Sequence, residues 1–529
     1  MLKFGTSNIG KVFAGTSAVA GVYSGNNLIW TNAVPDTVFN VSKITSDVYE
    51  SSTTYNNCKF LMFRVLPFDN QTAEITYGGI TKTVTGTTVT EVHFGQYGAE
   101  ADDGTPDTGD ITFKNVKQIG LGSFNSAKSS SSYCHCLNNI VEWGPLEIIG
   151  ANLFDQTPLT SLTIGNRVKQ VYGSAFKNCP NLINLTISAS VENFTDFKSD
   201  ATALASGAFD KINMNVTVDE NNQYFSSQNG ILYNKNKTVI YYIPSRVLSS
   251  TYTIPNGVTI LGSGALKNNT ILTTVNLNNV TQICASAFSG CSNLTTVNGL
   301  NNVTQIGITA FGSVPLSSVT LSANLSYIAS NVFTNITNSI TFNGYIGSQT
   351  SFQGISPFNN LVGTSSGISI TCNANIPAYF FEKSSTTASH FKVSSLTLNN
   401  VSHIGNYAFS RVDFLGGQTL NIGDNALDVI GTGAFNGGLV TDTSGTEVSN
   451  YTVVLGPITS LGNYALQTFH TGTVKFTTED EAPSTDDYKT IFGDISSLGS
   501  NFEILVPDQF HDQYYYAWED LQPYITPYI

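Results

Sequence analysis

The chain has 529 residues, 41% of them apolar and only 11% charged, with a formal net charge of −14 and 23 Lys and Arg. So few basic residues exclude the positive footprint that nucleic acids and anionic lipid surfaces require, and no apolar run reaches the roughly 18 residues that cross a bilayer. Charged side chains make up about a quarter of an average globular domain; here Ser, Thr, Asn and Gly supply a mostly neutral hydrogen-bonding surface instead.

Residues 1–34 read as three ten-residue units around Gly5, Gly15 and Gly25. Apolar side chains such as Phe4, Phe13, Tyr23 and Trp30 need cover that so short a stretch lacks, so the segment either packs on the following domain or anchors the chain to another protein. The run VFAGTSAVA at 12–20 has the outline of a short export signal, but Thr16 and Ser17 interrupt it and the ten-residue period absorbs it. Folding in a cytoplasm without export is therefore expected. After Pro35, residues 36–110 alternate apolar and polar positions around Gly78-Gly79 and Gly86, which predicts a small all-β domain. Asp102, Asp103, Asp107 and Asp110 offer either calcium ligands or a solvated acidic loop, and the missing EF-hand spacing favours the loop. Cys134-His135-Cys136 lines up three metal-capable groups, yet consecutive residues cannot all turn toward one tetrahedral ion, so no metal is expected. The odd cysteine number, 7, with no C-x-x-C, speaks against a disulfide framework.

From Gly257 to Phe333, within a repeat region that runs from 111 to 476, a pattern returns every 22 or 23 residues. Counting from Val258, Val280, Val303 and Leu325, an aliphatic follows at +3, and at +7 and +8 come Ala265/Leu266, Ala287/Phe288, Ala310/Phe311 and Val332/Phe333. The strand-like triplets Val275-Asn276-Leu277, Val297-Asn298-Gly299 and Val319-Thr320-Leu321 close the units. One such unit cannot bury its apolar face alone and must stack on a neighbour. The small-then-large pair fits one short helical turn, and Phe124, Phe154, Phe176, Phe209, Phe358, Phe381, Phe409, Phe435 and Leu466 extend the series, with a blurred register between 334 and 400. Glycine at +4 (Gly262, Gly307, Gly405, Gly431, Gly462) suggests a tight bend that needs either a positive φ or an uncrowded backbone. Cys179 and Cys291, three residues past the repeat phenylalanine, read as core positions. Near the end, Phe510, Tyr514, Ala517, Trp518 and Leu521 fall at helical spacing and make an apolar face that covers the last coil. A parallel β-helix has the same period and stays as the alternative fold.

The segments NVTQICASAFSGCSNLTTV and RVKQVYGSAFKNCPNLINLTI resemble the BspA-like unit of leucine-rich repeats. The resemblance implies a repeat solenoid of parallel β-strands with short helical turns at 111–476, a hairpin insertion at 212–250 and a terminal cap at 477–529, preceded by small all-β domains. That family contains surface adhesins, secreted binding proteins and phage fibre proteins. Residues 1–34 resemble the glycine-repeat modules that attach phage structural proteins to the particle.

Histidines 93, 135, 390, 403, 470 and 511 pair with no nucleophile, and Gly262-Ser263-Gly264 and Gly431-Thr432-Gly433 are repeat positions without the Lys-Ser/Thr of a phosphate loop. Neither an enzyme nor a cofactor is expected. The outward residue of each triplet is the functional candidate: Thr163, Thr186, Thr217, Thr253, Asn276, Asn298, Thr320, Thr341, Ser369, Thr397, Asn421, Val454 and Lys475. Stacked at about 4.8 Å, they give a strip on the order of 60 Å long. It is either a structural hydrogen-bonding ladder or a face for an extended ligand, with Thr253, Asn276, Asn298, Thr320, Thr341 and Thr397 as the binding positions. The resulting expectation is a phage virion protein, a tail fibre or tail-associated adhesin that binds a host surface glycan or protein. Its N-terminus would join other virion proteins, and a homo-oligomer, a trimer foremost, would form without membrane insertion. A BspA-like adhesin on a bacterial cell surface and a purely structural capsid or tail component are the alternatives.

Overall fold

The computed structural model describes residues 35–50, 53–95, 101–121, 137–154, 157–176, 179–194, 213–348, 351–362, 364–383, 391–417, 419–422, 427–477, 482–485 and 487–529, with four short strands inside 1–34. Phe13, Phe124, Phe209, His390 and the Cys134-His135-Cys136 run lie outside the described residues. The strands Lys3–Phe4 and Ser7–Asn8, and Val22–Ser24 and Asn27–Trp30, form two antiparallel hairpins that carry Phe4, Tyr23 and Trp30. The fold is a parallel β-solenoid of about 15 turns with little helix. Its residues fall into two compact units, 1–182 with 188–191, and 183–187 with 192–529.

In the first unit, strand alternation builds two sheets. Ala73, Ile75 and Tyr77 of the strand Ala73–Tyr77 point inward and are fully buried, while their neighbours are half-exposed. One sheet runs Leu137–Glu142, Thr37–Ser42, Thr108–Lys114, Ala73–Tyr77, Ile80–Val84. The rings of Phe39 and Phe63 pack on Phe113 at 5.4 and 5.2 Å. Residue 110, the expected end of the small domain, falls inside the strand Thr108–Lys114. Val116–Leu121, expected as the first repeat, pairs antiparallel with Thr53–Pro67 on one edge and parallel with Ile148–Ile149 on the other. The β domain thus hands its sheet directly to the first rung and leaves no open edge there.

The second unit repeats a coil with two strand sides and a turn side. Ile260–Leu261, Gln282–Ile283, Gln305–Ile306 and Tyr327–Ile328 stack in parallel register on one side. Between them and the outer strands, the turn carries the small-large pair. The amide of each large residue donates to the carbonyl of the small residue one coil on: Leu266 N to Ala287 O at 2.8 Å, Phe288 N to Ala310 O at 2.9 Å, Phe409 N to Ala434 O at 2.8 Å. The expected helical turns are mostly single turns closed by bonds such as Ser289 N to Ser286 O at 3.0 Å. Inside, Phe288, Phe311, Phe333, Phe358, Phe381, Phe409 and Phe435 form one continuous stack, with successive ring centroids 5.2, 5.4, 5.3, 5.0, 5.0 and 5.2 Å apart. Each aromatic pair contributes about 0.5–1.5 kcal/mol beyond its buried area.

The +4 glycines are explained by crowding. A Cβ at Gly307 would lie 2.5 Å from the Ala285 nitrogen, and one at Gly462 would lie 2.3 Å from the Thr432 nitrogen. Left-handed backbone occurs two residues later, at Ser286, Thr309, Asn331, Tyr379, Tyr407 and Tyr464. Cys179 and Cys291 are core residues as expected, each thiol donating to a carbonyl, of Phe154 at 2.8 Å and of Leu266 at 3.1 Å.

Three local findings refine the expected register. Phe225–Gln228 and Ile231–Asn234 form a hairpin turned by Asn229-Gly230, both at positive φ. Val239–Tyr242 then pairs parallel with Ile260–Leu261, so the 212–250 segment supplies a rung of its own. Between 334 and 400, Thr341 faces Thr371, which faces Thr397. Ser369 therefore does not belong to the strip assigned to it; it stands two residues earlier, between Ser339 and Ser395, because the blurred repeat hid the phase. At the C-terminus the helix His511–Ala517 and the 3-10 turn Glu519–Tyr524 bury Tyr514, Trp518 and Leu521, with Phe476 5.4 Å from Tyr514 and 5.5 Å from Trp518. Ala517, expected on that face, is exposed because the helix stops there and the chain turns at Trp518.

Candidate functional site

The outward face of the second unit carries two parallel columns of short polar side chains. Each triplet strand alternates, so its inner residue enters the core and its flanking residues face out. One column contains Thr251, Thr274 and Thr296, then Ser318, Ser339, Ser369 and Ser395; the other contains Thr253, Asn276 and Asn298, then Thr320, Thr341, Thr371 and Thr397. Neither column holds an ionisable side chain over this span. The character changes at the end of the solenoid, where Val454 and Lys475 take the outward place and the Lys475 ammonium lies 3.7 Å from the centre of the Tyr528 ring.

Part of this face is satisfied internally. Asn298 Nδ2 donates to Asn276 Oδ1 at 2.8 Å, and Asn276 Nδ2 donates to Thr253 Oγ1 at 2.9 Å. Ser339 donates to Ser318, and Ser395 to Ser369, both at 2.9 Å. Thr320, Thr341 and Thr397 form no such side-chain bond and keep their hydroxyls for solvent or a ligand.

The ladder is interrupted once among these residues. Thr296–Asn298 ends a three-stranded sheet, and Phe311–Leu321 begins a separate six-stranded one. The cause is visible in the sequence: Gly299 stands where the neighbouring coils place Leu277 and Leu321, and it has no side chain for the core. One extra residue lengthens this unit, Gly299 turns left-handed at φ 90, and Leu300 enters the core through the 3-10 turn Leu300–Asn302. Ser317 N still reaches Thr295 O at 2.9 Å, after which the two strands separate. A depression of about 500 Å³ opens between them, bordered by Val297, Asn298, Leu300, Asn301, Ser318 and Thr320. The structure thus places Asn298 and Thr320 together in this depression, with Asn276 on the adjoining rung, whereas Thr253, Thr341 and Thr397 lie along the strip outside it. Leu300, Asn301 and Ser318 were missed from sequence, although the 23-residue unit among 22-residue ones was their signal.

The acidic loop is held by a cation of the chain itself. Lys43 Nζ donates to Thr105 O at 2.7 Å and lies 3.5 Å from Asp102, while Asp103 accepts from the Thr105 amide and hydroxyl and Asp110 accepts from Asn40. Burial works against the charge on Asp103, but hydrogen bonds from Thr105 and the Gly95 backbone, together with the Lys43 charge, outweigh it and hold the carboxyl below its ordinary range. Among the described residues no three metal-capable side chains converge.

Residues 125–242 and 238–341 match the family model described as the BspA type leucine rich repeat region, in 6 copies. Among solved structures, a leucine-rich repeat protein from Bacteroides ovatus ATCC 8483 is 14% identical, with 78% of this chain and 95% of that one covered and a TM-score of 0.37. The pneumococcal vaccine antigen PcpA is 22% identical over 48% of this chain and 70% of its own, with a TM-score of 0.35. A leucine-rich repeat protein from Eubacterium ventriosum ATCC 27560 is 19% identical, over 55% and 68%, with a TM-score of 0.34. No curated protein matches the chain. Over residues 125–341 the chain is thus similar to the BspA type of leucine-rich repeat region.

Proposed function

We propose that this chain is a non-enzymatic recognition protein whose strand face binds an extended, neutral surface ligand, a glycan foremost. The observation that carries the reading is the pair of Ser/Thr/Asn columns, free of ionisable side chains from Thr251 to Thr397 in a protein of net charge −14. Hydroxyls and amides at a regular rise suit a polymer of neutral sugars, and stacked repeats give the length. The finer reading is a phage virion protein, a tail fibre or tail-associated adhesin. The glycine repeats of 1–34, with Phe4, Phe13, Tyr23 and Trp30, would dock it on other virion proteins, most simply as a trimer. A bacterial surface adhesin uses the same face in the same way. The Asn298–Asn276–Thr253 chain of bonds favours a second reading, in which the columns only stiffen the sheet.

Lysine at Thr253, Asn276, Thr341 and Thr397 separates these readings. The variant is expected to keep its circular dichroism and melting behaviour yet lose binding to immobilised bacterial surface polysaccharides and to whole cells. Lysines at the turn residues Asn268, Ser292 and Ser313 leave binding intact. Binding by the native chain changes by less than about twofold between low and high salt, because no ion pair carries it. Equal binding by both lysine variants would leave only the stiffening role.

A further inference from the structure

We propose that the depression between Thr296–Asn298 and Phe311–Leu321 receives the acetamido group of an N-acetylated sugar, which makes N-acetylhexosamine-containing glycans the preferred ligand. The inference rests on the strand-face reading and names its substrate class. From Thr251 to Thr397, coil follows coil by a backbone ladder except here, where beyond the Ser317 N to Thr295 O bond the two strands border a depression of about 500 Å³ without one. That volume lies within the range of small-molecule sites, roughly 300–1,000 Å³. A strand edge presents amide N–H and C=O groups that seek peptide-like partners. An acetamido group is a single peptide unit: its N–H and C=O can bridge the two edges, and its methyl needs an apolar contact.

The contact is present. Val297 is half-buried and Leu300 is 3% exposed, and both border the depression, whereas the rim consists of Asn298, Asn301, Ser318 and Thr320. Asn298 commits Nδ2 to Asn276, while its Oδ1 and the Asn301 and Thr320 side chains make no internal hydrogen bond and point the rim toward ring hydroxyls. No ionisable group borders the site, so neither a uronic acid nor a free amino sugar finds a counter-charge. An extended peptide fits less well. The edge Thr296–Asn298 is three residues long and ends in left-handed Gly299 and a 3-10 turn, which would halt an added strand after one or two bonds.

The test compares two neutral tetramers of equal linkage, β-1,4-linked N-acetylglucosamine and β-1,4-linked glucose, titrated calorimetrically into the full chain. The acetamido tetramer is expected to bind at least about tenfold more tightly, the worth of one or two added hydrogen bonds. Ser318→Trp, at an exposed position, fills the depression and abolishes the preference; Ser292→Trp, on the turn side, preserves it. Asn298→Ala with Asn301→Ala lowers it without adding bulk. Equal affinity for the two tetramers, binding of neither, or a preference that survives both depression variants would overturn the proposal, as would displacement of the bound tetramer by extended peptides. If the tetramers bind alike while the strip lysines abolish attachment, the strand-face reading stands and only the acetamido site falls.

Discussion

The coils that begin at Val258, Val280, Val303 and Leu325 are 22, 23 and 22 residues apart, whereas those at Val401, Leu427 and Ile458 are 26 and 31 apart. Their interiors are nonetheless alike. Phe288 and Phe311 stack at 5.2 Å with 6° between planes, and Phe409 and Phe435 stack at 5.2 Å with 1°. The two-residue strands pair in the same parallel register, Gln282–Ile283 with Gln305–Ile306 and His403–Ile404 with Val429–Ile430. The additional residues of the later coils are placed outside, as in the small hairpin where Thr441 bridges Glu447 around left-handed Gly445. The later region also buries charge: Lys383, 1% exposed, donates to Leu361 O at 3.1 Å, and Asp413 accepts from the Leu439 amide at 3.0 Å. Burial lowers the Lys383 pKa, and Asp413 opposes that shift in part. The repeat is therefore defined by its packed interior, not by its residue count. A close-packed stack tolerates no change of volume, while an outer loop changes length at little entropic cost.

The strongest way to break this comparison is to remove the cap. Deleting 483–529 uncovers Leu466, Val474 and Phe476, each worth roughly 1.5–3 kcal/mol when buried. Because each coil contacts only its neighbours, amide exchange should show protection lost first in Thr452–Leu455 and Thr473–Phe476, with Thr274–Asn276 spared. A truncated chain as soluble and as protected as the parent would contradict the capping role.

Equal interiors predict equal penalties. Phe288→Ala and Phe409→Ala each remove one ring from the middle of the stack and should each cost about 3–5 kcal/mol, measured as the free energy of local opening by native-state exchange. A clearly smaller cost at Phe409 would mean that the longer coils relax around the cavity and that the likeness is superficial.

The smallest effect belongs to the outer residues. Replacing Asp442–Glu447 by a two-residue Asn-Gly turn should change stability by less than about 0.5 kcal/mol in thermal melts, since the hairpin meets the rest mainly through Lys392 Nζ on the Asp442 carbonyl and Glu447 beside His470. A large loss would show that this loop helps to hold the later coils.

Much of the interior was legible before any coordinates. The series from Phe288 to Phe435, including Phe358 and Phe381 across the blurred stretch, follows from a small-large pair repeated at solenoid spacing. The strip was legible where inward and outward residues alternate cleanly and was mistaken at Ser369, where a longer coil shifted the phase by two residues, one full strand period. The +4 glycines read correctly as special positions, but sequence left two reasons open, and only the 2.5 Å approach at Gly307 identifies crowding.

By itself the sequence determined the period, the stacked core and the neutral outer face, because each depends on residues that meet their own copies one coil away. The sequence shows the extra residue and the glycine at 299, but tertiary structure decided that the ladder between Thr296–Asn298 and Phe311–Leu321 stops there. Gly299 leaves the core short of a side chain, Leu300 is drawn in to replace it, and the strands beside it part. That outcome depends on how two adjacent coils share one space, a balance of packing and backbone pairing that no single repeat encodes.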